Sequence, residues 1–165
     1  MRLGKMALAL TLAATAAAGR PAAGAGESLA LTVSSWGKPL FDWRVSADGA
    51  AVYRYSRAVA GGGFRDYDLV TKRFRLGRGD LAKLRALLAP GRRYAGSELS
   101  CTSRITDQPY GRIAWGSAEL RYDLGCRSPE SRPVYAGLEA AQDLIEKRAA
   151  RAPVGSVEPV REPRG

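Results

Sequence analysis

The chain has 165 residues, a net charge of +10, two cysteines and no histidine. One domain fits that length, and a hydrophobic fraction of 45% is that of a globular protein rather than a disordered one. Without histidine, Ser-His-Asp and Cys-His catalysis, histidine-based zinc sites and the usual proton shuttle near neutral pH are excluded, which leaves few enzyme classes open.

Met1 to Lys5 carries two positive charges, Met6 to Ala18 is an apolar run, and Ala23-Gly24-Ala25 offers a small-x-small site before Gly26. This is the pattern of a secretory signal peptide over residues 1–25, with a site near Gly19 as the alternative. The run is too short to span ~30 Å of hydrocarbon, and no cysteine stands near the cleavage region to take a lipid. A periplasmic or secreted chain with no membrane span after cleavage is expected. Removal of Arg2, Lys5 and Arg20 leaves a charge of +7.

Leu29 to Val33 alternates apolar and small residues with the period of a half-buried strand, and Trp36-Gly37-Lys38-Pro39 turns the chain. Phe41 to Ala47, an Asp48-Gly49 turn and Ala50 to Arg57 form the clearest hairpin signal. A three-residue loop with Gly49 in the left-handed position pairs Val45 with Ala51, Trp43 with Tyr53 and Phe41 with Tyr55, setting every large side chain on one face. Gly61-Gly62-Gly63 reads as a loop, since no Lys-Ser/Thr pair or helix start follows to make it a phosphate cradle. Tyr67 to Leu76 is a fourth strand of unclear phase, for which a bulge or a switch of face is expected.

Asp80 to Ala89 predicts a short helix presenting Leu81, Leu84, Leu87 and Leu88, stopped by Pro90-Gly91. Arg78-Gly79-Asp80 spells an adhesion tripeptide, but at a helix start Asp80 is better read as complementing the dipole. Arg112 to Trp115 and Ala118 to Leu124 predict a second hairpin about Gly116-Ser117, a pair suited to a type II′ turn. Trp43 and Trp115 are read as core. Ser131 to Arg148 predicts a second helix, with Pro133 in its first turn and Val134, Leu138, Ala141 and Ile145 along one stripe. Residues 149–165, rich in proline and charge, are expected to be a disordered tail, so that the domain covers 26–148.

In an exported chain Cys101 and Cys126 are most simply a disulfide, which on the chain-entropy model stabilises by about 3 to 4 kcal/mol. A redox pair would favour Cys-x-x-Cys, and a thiol nucleophile would want a histidine. Around the bridge lie Glu98, Asp107, Glu119 and Asp123, but no spacing forces two of them together for carboxylate catalysis. Asp66-Tyr67-Asp68 lacks the further ligands of a calcium loop. No residue is assigned a catalytic role, and no metal or cofactor is implied.

Charge is the one asymmetry. Residues 54–93 hold eleven Lys/Arg against three Asp, a net of +8, whereas 26–53 sum to −1 and 94–165 to zero. With Tyr53 and Tyr55 inward, Arg54 points to solvent, and Arg73 and Arg75 point away from Phe74. Together with Arg57, Arg78, Arg92 and Arg93 at adjoining loop ends they form a candidate basic patch for an anionic envelope polymer or an acidic protein. Nucleic acid is a poor partner, since export removes the chain from it and no recognition motif accompanies the charge.

The order of elements, with Leu84 to Leu88, Asp107, Ile113-Ala114-Trp115 and Leu138 to Ile145 as matching residues, resembles families of uncharacterised exported bacterial domains. The resemblance covers roughly residues 40–148 and implies a fold rather than an activity. The expected fold is α+β, an antiparallel sheet with two helices on one face and one disulfide. The expected function is a non-catalytic, inhibitor-like or binding module of the envelope. A histidine-free hydrolase using paired carboxylates and a structural envelope component are the alternatives.

Overall fold

A computed structural model describes residues 26–161; the expected signal peptide, residues 1–25, lies outside them. The chain runs through β1 (Leu29–Ser35), β2 (Lys38–Val45), β3 (Ala50–Ala58), β4 (Tyr67–Arg75), α1 (Arg78–Arg92), β5 (Ser103–Arg104), β6 (Tyr110–Trp115), β7 (Ala118–Asp123), β8 (Cys126–Arg127), α2 (Ser131–Ala149) and β9 (Val154–Val160). Seven strands form one antiparallel sheet in the order β7-β6-β1-β2-β3-β4-β9, and β5 pairs with β8 separately. The fold is the expected α+β arrangement. No helix among the described residues is long and apolar enough to cross a membrane.

Alternation decides the two faces. Leu29, Leu31 and Val33 of β1 stand opposite Val45, Trp43 and Phe41 of β2 and opposite Trp115, Ile113 and Gly111 of β6. With Tyr53, Leu120 and Tyr122 these side chains join Leu81, Leu84 and Leu88 of α1 and Val134, Leu138, Ala141 and Ile145 of α2 in one core. Leu84, Ile113, Leu120 and Ile145 are fully buried, each worth about 1.5–3 kcal/mol against exposure.

The first hairpin has the expected register, Val45 to Ala51, Trp43 to Tyr53 and Phe41 to Tyr55. Gly49 is left-handed at φ 89°, and its N–H donates to the Ser46 carbonyl while the Ser46 N–H donates to that of Ala50, closing the three-residue loop. Gly116, at φ 59°, takes the first position of the β6–β7 turn as a type II′ turn demands. The bridge from Cys101 to Cys126 is formed, with a Cα separation of 5.2 Å. It clamps the chain leaving α1 to the strand that precedes α2.

Three expectations are corrected. β4 runs against β3 without a bulge, and the irregularity falls against β9 between Thr71 and Lys72. The regular alternation of β4 sets Lys72 opposite Tyr53 and helix-ward like Phe74, where its ammonium donates to the Ala149 carbonyl at the end of α2 (3.0 Å), whereas Tyr67 and Leu69 take the opposite face. α1 runs through Pro90 to Arg92 instead of stopping at Ala89. Gly91 lies against Trp115 there, and a proline so near the C-terminus disturbs only the last turn. The tail from 149 is not wholly disordered, since Val154–Val160 adds β9 to the free edge of β4. Six of its seven residues are exposed, so backbone pairing rather than apolar burial holds it. The domain therefore extends past residue 148.

Candidate functional site

Both helices pack on one face of the large sheet, so the side chains of opposite parity form a face no helix covers. The registers carry Arg44 of β2, Val52 of β3 and Arg73 of β4 in one row, and Arg112 of β6, Thr32, Asp42, Arg54 and Thr71 in the next. Arg121 of β7 pairs with Arg112, and Arg75 stands at the far end of β4. Six arginines from five strands thus share the open face.

Their charges are unequally available. Arg54 is held by Asp42, its Nε donating to both carboxylate oxygens at 3.0 Å. Arg75 donates to the Asp48 carboxylate at 3.0 Å. The Ser46 hydroxyl, Arg75 and the Ala50 N–H hold the Asp48 carboxyl down at about 2. Arg112 and Arg121 both lie within ion-pair reach of Glu119, at 3.8 and 3.4 Å. Arg44 and Arg73 have no ion-pair partner among the described residues and are exposed.

The seven-arginine patch expected from charge counting is not one surface. Arg54, Arg73 and Arg75 share the open face. Arg57 has the helix-side parity and binds Asp68 at 2.9 Å; that contact and Arg161 lower the Asp68 carboxyl. Arg78 opens α1, and Arg92 and Arg93 lie at its far end. Arg92 is occupied by Glu27 at 2.9 Å and by the Trp115 ring, and Arg93 lies over Tyr94. Counting along the chain groups residues that a turn of sheet or a helix separates. Arg44, Arg112 and Arg121 were missed for the converse reason, although the alternation that places Trp43, Ile113 and Leu120 inward places them outward.

The carboxylates near the bridge are distributed rather than paired. Glu98 and Asp123 border one cleft beside Cys101 and Cys126, but Asp123 accepts from the Gly125 N–H (2.8 Å) and pairs with Arg104 (3.4 Å). Glu119 belongs to the open face, and Asp107 sits in an exposed loop at φ 64°. No group of three or more metal-ligating side chains occurs among the described residues.

Between α2 and the β1–β2 end of the sheet lies a cavity of about 370 Å³, floored by Leu31, Val33, Phe41 and Leu138 and edged by Glu139 and Asp143. Gln142, also on its wall, is fixed by a buried network. Trp43 Nε1–H donates to Gln142 Oε1 (3.1 Å), and Gln142 Nε2–H donates to the Tyr53 hydroxyl (3.2 Å) and Glu146 Oε1 (2.6 Å). The Tyr53 hydroxyl in turn donates to Glu146 Oε1 (3.1 Å). Burial first, and the neighbouring Glu146 charge second, push the Tyr53 phenol up.

No protein-family model, curated protein or solved structure matches the chain.

Proposed function

We propose that the mature chain is an exported, non-catalytic binding module that meets an anionic envelope polymer with the open face of its sheet. The observation that carries this reading is the row Arg44–Val52–Arg73, two exposed guanidinium groups without an ion-pair partner among the described residues, flanking a valine on a face no helix covers. Export rests on the signal-like residues 1–25 and agrees with the disulfide, which oxidising compartments favour. Planar guanidinium groups suit carboxylate and phosphate, and contacts through them weaken as salt screens them.

The test is retention of the oxidised chain from Gly26 on immobilised lipopolysaccharide and polygalacturonate. Binding at low salt and release at moderate salt is expected, with loss in R44A/R73A and none in R78A/R93A. Salt-indifferent retention, or equal loss in both double variants, would sink it. A hydrolase of envelope polymers is the weaker reading, because Asp123 and Glu119 are engaged by arginines and a backbone N–H. An acidic protein partner or a purely structural envelope role would appear as retention on neither polymer.

A further inference from the structure

The tip of the β1–β2 hairpin breaks a local rule. Trp36 and Gly37 both have positive φ, 50° and 76°, the type I′ geometry that suits Asn-Gly or Gly-Gly. Gly37 is at ease there. A tryptophan is strained, and packing does not compensate, since Trp36 is 68% exposed while Trp43 and Trp115 are buried. Residues that violate local preference without a packing gain are where function is sought.

The surroundings suit a ligand. The Gly37 N–H donates to the Tyr110 hydroxyl (3.2 Å), tying the tip to β6. Lys38 holds its ammonium 4.8 Å from the Tyr67 ring centroid and 4.9 Å from that of Phe64, itself 53% exposed. Lys38 thus faces aromatic rings rather than a carboxylate. Arg161 is partly committed, donating to Asp68 (2.9 Å) and to the Tyr67 carbonyl (2.7 Å). Trp36, Lys38, Arg65, Tyr67 and Arg161 border a cleft of about 360 Å³ with no carboxylate among its bordering residues, a size in the lower part of the ~300–1,000 Å³ range of small-ligand sites. Tyr67 and Val160 pair across β4 and β9 with open-face parity, so the cleft terminates the open face.

We infer that this cleft binds an acidic sugar ring of an anionic polysaccharide, Trp36 stacking on the ring's apolar face and Lys38 taking its carboxylate. A flat exposed indole beside cations matches the apolar C–H face of a pyranose ring that carries negative charge. An interfacial membrane wedge fits less well, because Lys38 caps the Phe64 ring and the site is concave. The inference rests on the reading of the open face for the rest of the polymer, while the cleft has residues of its own.

Because Trp36 is the exposed tryptophan, its emission reports the site. Tetragalacturonate is expected to change that emission saturably, and neutral maltotetraose to leave it unchanged. Trp36→Asn, which suits the turn, should raise the urea midpoint yet weaken tetragalacturonate binding by calorimetry at least tenfold, and Lys38→Gln should weaken it comparably. Unaltered affinity in W36N with loss in R44A/R73A would overturn the cleft and leave the open-face reading standing. Loss in W36N with none in R44A/R73A would do the reverse. No tetragalacturonate binding, equal binding of maltotetraose, or an emission change only with phosphatidylglycerol vesicles would overturn the acidic-sugar site.

Discussion

At the scale of single residues, proton affinities and close contacts make the sharpest tests. Burial raises the phenols of Tyr53, Tyr122 and Tyr135 above the ordinary value of about 10. A group whose folded pKa is raised stabilises the fold fully below its unfolded pKa and loses that contribution as pH climbs through the folded one. The urea midpoint should therefore fall above about pH 10, and absorbance at 295 nm should show these phenolates appearing together with unfolding. Asp48 has the opposite sign. Held at about 2, its carboxylate supports the turn above its ordinary range near 4 and ceases to as pH falls toward the lower value. Carboxylate NMR titration of Arg75→Ala should show the Asp48 midpoint moving upward. At Gly137 an added Cβ would stand 2.2 Å from the Leu87 carbonyl oxygen, so α1 and α2 approach closely there. Gly137→Ala should cost about 1–3 kcal/mol through forced separation of the helices, read as a lower urea midpoint.

At the scale of elements, legibility followed the source of each element's stability. The β2–β3 hairpin was readable to the register because the Asp48-Gly49 turn and the aromatic alternation on both strands specify the same pairing. β9 was not readable, since nearly all its side chains remain exposed and its pairing depends on the open edge of β4, which no local pattern reports. Truncation after Ala152 tests this. The core should survive, stability should fall by about 1–3 kcal/mol, the modest net worth of a backbone ladder, and hydrogen-exchange protection should be lost along the outer edge of β4. Loss of the whole fold would show that β9 contributes more than pairing. The irregularity expected of β4 falls on its pairing with β9, between Thr71 and Lys72, and not on its pairing with β3, and Tyr67 on the open face is covered by Lys38, neighbours that the phase of an isolated strand does not contain.

For the whole molecule, the bridge and the two faces matter most. The disulfide joins residues 25 apart, and C101S/C126S should lose about 3–4 kcal/mol of the stability of the oxidised chain in urea unfolding. The composition, the apolar periods and the turn residues were sufficient to determine an α+β fold with two helices among the described residues, a bridge and no histidine chemistry, because each of these is specified within a few residues or by the count of a residue type. The tertiary structure alone decided which charges share a surface. Arg44, Arg73 and Arg112 share one face only because the registers of β2, β3, β4, β1 and β6 align their outward positions, while Arg57 and the α1 residues Arg78 and Arg92 are sent elsewhere by the alternation of β3 and the length of α1. It also decided that Trp36 stays outside the core beside Lys38 and Tyr67, since burial depends on what packs against a residue and not on its own hydrophobicity.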